Sequence, residues 1–98
     1  MLKIEIITPI GLSWIISGES ISLPGVLGRF QILSKHLPIL SNLSEGQIVI
    51  KGISSATKKN IDDLESLSIT EASFHIVDGF IDMKKDVVTV LGNVDFLN

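Results

Sequence analysis

Short runs in which apolar and polar residues alternate, each closed by a glycine, a proline or a turn pair, dominate this sequence. Alternation with a period of two puts one face of an extended strand in the core and the other in solvent. "LKIEIIT" sets Ile4 and Ile6 against Lys3 and Glu5, and Pro9 ends it. "LSWII" around Trp14 stops at Ser17–Gly18, and "ESISL" opposes Ile21 and Leu23 to Ser20 and Ser22. Pro24–Gly25 has the composition of a type II turn. "RFQIL" follows, with Phe30 and Ile32 on one face, then "GQIVIKGI" between Gly46 and Gly52. "SFHIV" runs to Asp78–Gly79, a turn or bulge, then "FIDM", and Lys85–Asp86 closes a hairpin into "VVTVL". No stretch of ten or more residues holds a convincing helical period. Lys58–Leu67, "KKNIDDLESL", spaces Ile61, Leu64 and Leu67 three apart and reads equally as a short helical turn or a solvated loop. The pattern predicts an all-β domain: a flattened antiparallel β-sandwich of roughly eight to ten short strands.

At 98 residues the chain makes a single domain spanning 1–98. A domain this small buries roughly 60–70% of the surface it exposes when unfolded, so its stability is modest. The sequence is rich in Ile, Leu and Val, and 45% of it is hydrophobic. That fits either a dense aliphatic core or apolar surface used in assembly. The net charge is −3 and the lysine pairs Lys58–Lys59 and Lys84–Lys85 form no basic stripe, which speaks against nucleic acid as a partner. There is no cysteine, hence no disulfide framework or thiolate chemistry. The longest nearly uncharged run, Ile6 to Gly18, is broken by Pro9 and Gly11 and is too short to span a bilayer. Any membrane association is therefore expected to go through a partner.

Candidate bases at neutral pH are His36 and His75. Neither lies in a nucleophile motif, and no His-x-His or His-x-x-His spacing offers a metal site. Gly25 and Gly28 lack the GK[ST] ending and the following helix of a phosphate loop. Asp62, Asp63 and Glu65 read as a solvated charge run. The chemistry supports a binding or structural module with no catalytic residue, no metal and no cofactor. Its most distinctive stretch is "LPGVLGRFQILSKHLPIL", where a glycine-shaped loop leads into an apolar His-Leu-Pro-Ile-Leu edge.

In order and spacing, Gly25, Gly28, Phe30, Leu33, His36, Pro38, Leu40, Leu43 and Gly46, then Gly79–Phe80 and "VVTVLG" from Val87, resemble the N-terminal β-sandwich domain of the F-type ATP synthase epsilon subunit. Three positions depart from that pattern: Gln31 and Asp78 replace glycines, and Arg29 stands where an acidic residue is common. Ser54 to Ala72 is also longer than the family's usual connection. Family members usually continue into a C-terminal helical hairpin that inhibits hydrolysis and sometimes binds ATP. This sequence stops at Asn98, just after its last strand, so hairpin-based inhibition is not expected of it.

The resemblance implies a non-catalytic central-stalk subunit at the cytoplasmic face of the inner (plasma) membrane, peripheral and held there by the complex. It would bind the gamma subunit and the c ring and pass proton-driven rotation to ATP synthesis. His36, Leu37, Ile39, Leu40 and Leu43 are expected on the gamma-facing surface, with core as the other reading of Leu40. Gly25, Gly28 and Arg29 are expected to face the c ring. The competing class is a free-standing β-sandwich that binds sugar or peptide, which would display exposed aromatic rings among Trp14, Phe30, Phe74, Phe80 and Phe96.

Overall fold

A computed structural model describes residues 1–97. Ten strands appear: β1 Leu2–Ile7, β2 Ser13–Gly18, β3 Ser20–Gly25, β4 Gly28–Leu33, β5 Ile39–Leu43, β6 Gly46–Lys51, β7 Ser55–Asn60, β8 Asp63–Ser66, β9 Glu71–Lys84 and β10 Val87–Phe96. No helix occurs among the described residues. The strands hydrogen-bond in the order β4-β3-β5-β9-β10-β1-β2-β7-β8, with β6 pairing β3 and β9. All pairings are antiparallel but one: β1 lies parallel to β10, so the two ends of the domain meet in the middle of the sheet.

The sheet is folded over on itself, and β9 makes the fold possible. Its first part pairs with β6 from Glu71 to Ile76, its second with β5 from Gly79 to Met83. Between them the register against β10 shifts, leaving Val77 as an extra residue. A bulge of this kind bends the strand and moves every later side chain to the other face. The burial pattern records the flip: Ala72, Phe74 and Ile76 are buried before it, Ile81 and Met83 after it. Asp78–Gly79 therefore sits beside a bulge inside one continuous strand, where the sequence allowed a turn or a bulge.

The two layers meet across a core of Ile, Leu and Val with three rings at one side. Trp14 of β2 contacts Phe74 of β9 edge-on at 5.1 Å, and Phe74 contacts Phe96 of β10 at 5.2 Å. Such aromatic pairs add about 0.5–1.5 kcal/mol to their area burial. Alternation dictates the rest. Ile4, Ile6 and Ile16 are fully buried, while Lys3 and Ile7 on the same strands face out.

Lys58–Leu67 forms neither a helical turn nor a loop. It lies in the β7–β8 hairpin, in which Lys58 pairs with Glu65 and Lys59 with Leu64. The three-residue spacing of Ile61, Leu64 and Leu67 carries no helix, because β7 pairs with β2 at five positions from Ser13 to Ser17. The long connection after β6 thus adds two strands to the β2 edge of the sheet.

Candidate functional site

The β3–β4 connection is a two-residue turn, Val26–Leu27, and not the Pro24–Gly25 turn expected from composition. Pro24 and Gly25 are the last residues of β3, paired with Arg29 and Gly28. Gly28 carries the left-handed backbone, at φ 127°. Gly25 is needed for another reason: a Cβ there would lie 2.8 Å from the Phe30 ring and from the Gly28 carbonyl. The turn therefore presses flat against Phe30 and projects two aliphatic side chains. Leu27 is 101% exposed and Val26 60%. They border an apolar cleft shared with Phe30, Ile39 and Ser41.

Arg29 does not reach out from this turn. Its guanidinium folds back over the outer face of β3, donating to the Gln47 carbonyl at 2.8 Å and to the Ser22 hydroxyl at 2.9 Å. Gly25, Gly28 and Arg29, expected to share one contact surface, are thus neighbours with different tasks. The residues that project, Val26 and Leu27, were not singled out in the sequence; their signal was an uncharged aliphatic pair between two glycines.

Beyond the other end of β4, roughly 17 Å away at the usual rise per strand residue, lies the turn that carries His36. Its amide donates to the Leu33 carbonyl at 3.2 Å. The His36 ring is exposed, and its Nδ1–H points at the Leu37 carbonyl, 2.7 Å away. Leu37 is 79% exposed and Leu40 69%. The core reading of Leu40 is therefore excluded: on β5 it sits opposite Asp82 and faces solvent. Ile39 is half-buried, beside the buried Met83.

Leu43 does not belong to this surface. It is 5% exposed, in the core, pairing with Gly79 of β9 and Gly25 of β3. Both phases of "ILSNL" carry aliphatic residues, so alternation alone could not say which faced in. The structure adds a row that sequence reasoning missed: Phe80, Leu91 and Ile7 line up in register on the same outer face as Leu40.

His75 pairs with Glu45 at 3.1 Å, far along the chain from His36. Among the described residues no group of three His, Cys, Asp or Glu could hold a metal ion. Among the described residues no helix is long and apolar enough to cross a membrane. None of the five aromatic side chains is fully exposed: Trp14 and Phe74 are buried and Phe30, Phe80 and Phe96 half-buried. No ring offers the fully exposed platform that a sugar site would display. What the geometry offers is two exposed aliphatic edges, one at each end of β4.

A family model described as "ATP synthase, Delta/Epsilon chain, beta-sandwich domain" matches residues 1–94. The chain is 32% identical over 92 residues to an ATP synthase epsilon chain from the chloroplast of Chlamydomonas reinhardtii, covering 94% of this chain and 59% of that one. It is 41% identical over 51 residues to an ATP synthase epsilon chain of Lactobacillus delbrueckii subsp. bulgaricus, covering 52% of this chain and 35% of the relative. The chain thus spans little more than half the length of such relatives at most. Its fold is similar to a chain of the Euglena gracilis mitochondrial ATP synthase OSCP/F1/c-ring structure. The TM-score is 0.69 at 12% identity, covering 97% of this chain and 52% of that one. A chain in the Tetrahymena thermophila mitochondrial ATP synthase central stalk and c-ring structure gives 0.59 at 13%, covering 99% of this chain and 66% of that one.

Proposed function

Because this chain belongs to the ATP synthase delta/epsilon β-sandwich family, we propose that it is a non-catalytic central-stalk subunit of a rotary F-type ATP synthase. It binds the gamma subunit through the edge formed by His36, Leu37, Ile39 and Leu40, extended by the outer row Phe80, Leu91 and Ile7. It seats on the c ring through the Val26–Leu27 turn, held in shape by Gly25 and Gly28. The central-stalk and c-ring setting of the solved structures it resembles supports this placement.

One observation carries the reading: exposed leucines stand at both ends of a single strand, with a packed sandwich between them. A small domain seldom leaves side chains such as Leu27, Leu37 and Leu40 in water without a partner to cover them. A standard interface buries about 1,600 Å² in total, and a few central residues carry most of its energy. Two packed sheets resist bending, so a torque applied at one edge reaches the other. The subunit performs no bond chemistry, lies at the cytoplasmic face of the membrane and is held there by the complex.

Affinity capture of the tagged chain from native membranes tests this. Gamma and c subunits should be recovered together. Recovery of the chain with neither would overturn the placement, and capture of a glycan or an unrelated peptide instead would return the competing class.

A further inference from the structure

A groove of about 550 Å³ crosses the outer face of β3, β4 and β6 and shares Arg29 with the cleft beside the Val26–Leu27 turn. Its lining is Ser20 and Ser22 from β3, Arg29 and Gln31 from β4, and Gln47, Val49 and Lys51 from β6. It holds two cations and no acid, in a chain whose net charge is −3.

Arg29 is already fixed. Its two hydrogen bonds go to neutral oxygens, the Gln47 carbonyl and the Ser22 hydroxyl, so its charge is uncompensated and the rest of its five N–H groups stay free. Lys51 has Glu71 as its register partner on β9, yet the two form no ion pair, and Glu71 does not line the groove. The Ser20 hydroxyl also lines it. Ser20 is only 8% exposed. A locked guanidinium, an ammonium, two hydroxyls and two carboxamides make a donor-rich wall.

We propose that this groove binds a phosphate group. A dianion with several acceptor oxygens uses the Arg29 fork and the Lys51 point charge at once, which a single carboxylate does less well. Because Arg29 is held before the ligand arrives, little side-chain freedom is lost on binding. The site does not depend on the gamma and c-ring assignments.

The group has two sources, a soluble phosphate compound or a lipid headgroup. Inorganic phosphate titrated into the 15N-labelled chain at constant ionic strength should shift the amides of Ser22, Gln31, Gln47 and Lys51 saturably, with Kd on the order of 1 mM; chloride should not. Vesicles of phosphatidylglycerol, compared with phosphatidylcholine, form the second arm. Saturable shifts with free phosphate assign a soluble ligand; co-sedimentation with phosphatidylglycerol alone assigns a headgroup. Lys51→Gln and Arg29→Lys, each checked for an unchanged melting temperature, should weaken whichever binding is found about tenfold. No response in either arm, or binding that both variants retain in full, overturns the site.

Discussion

The Lys35 amide donates to the Asp86 carboxylate at 2.6 Å, tying the turn before β5 to the hairpin between β9 and β10. Both turns use left-handed backbone: φ is 64° at Lys35, 49° at Lys85 and 64° at Asp86. The Asp86 carbonyl also accepts from the Lys3 amide at 2.8 Å. One short loop thereby anchors β1 and fixes the base of the segment that presents His36 and Leu37. Asp86→Ala removes the acceptor and places alanine in a backbone region that aspartate tolerates better. Thermal unfolding should show a loss of about 1–2 kcal/mol, with faster hydrogen exchange at Lys35 to Leu37. Asp86→Asn keeps an acceptor oxygen and the turn preference, and should lose less than half of that. Equal melting of wild type and Asp86→Ala would contradict this account.

Gly79 and Gly92 face each other across β9 and β10, two residues past the Val77 bulge where the sheet folds over. A Cβ on Gly79 would stand 2.6 Å from the Leu91 carbonyl; one on Gly92 would stand 2.8 Å from the Gly79 Cα. Backbone cannot move aside as a flexible side chain can. Gly92→Ala should therefore cost about 2–3 kcal/mol, as overpacking does, and lower the melting temperature by about 10–20 °C in a domain of this size. A shift below about 3 °C in a melting scan would mean the strands separate there without strain.

How far the sequence could be read depends on which residues carried a phase. β1, β2, β3, β6 and β10 each bury one parity of aliphatic residues, as alternation requires, and the Lys85–Asp86 hairpin shows in its turn residues. The His36 segment was readable as a connection because Pro38, two residues on, restricts the backbone around it. β5 was not readable, since Ile39, Leu40 and Leu43 occupy both faces. Nor was β8, whose four residues are all exposed and have no buried side to declare. Groove-lining Arg29, Gln31, Gln47 and Lys51 lie on two strands separated in sequence, and only the pairing of both with β3 brings them together.

Leu40 and Leu43 allow binding and folding to be separated on one strand. Leu40 faces solvent and Leu43 is 5% exposed. Leu40→Asp should melt within about 2 °C of wild type, as surface changes usually do. Facing gamma, it would bury an unpaired charge, costing about 3 kcal/mol or more and weakening recovery by about a hundredfold. Leu43→Asp places the same charge in the core and should leave no cooperative transition by circular dichroism. Undiminished gamma capture by Leu40→Asp would remove that residue from the docking edge while leaving the fold assignment intact.

The β7–β8 hairpin makes its own case for being an edge guard. Without it, β2 would end the sheet with a row of unpaired backbone groups beside the exposed Ile15, and such an edge invites pairing with a second chain. The hairpin replaces that edge with β8, "DLES", which carries Asp63 and Glu65 and lies against Lys58 and Lys59 of β7. Charge along a short edge strand is a familiar defence against strand addition. Joining Ser54 to Leu67 should therefore uncover β2 and also remove the buried Ala56. We expect a lower melting temperature and concentration-dependent association on size-exclusion chromatography, whereas the full chain should elute at one volume across the same range. A shortened chain that stays monomeric at every concentration would show that β2 needs no cover, and the hairpin would have to be explained by what its exposed tip at Ile61 and Leu64 contacts.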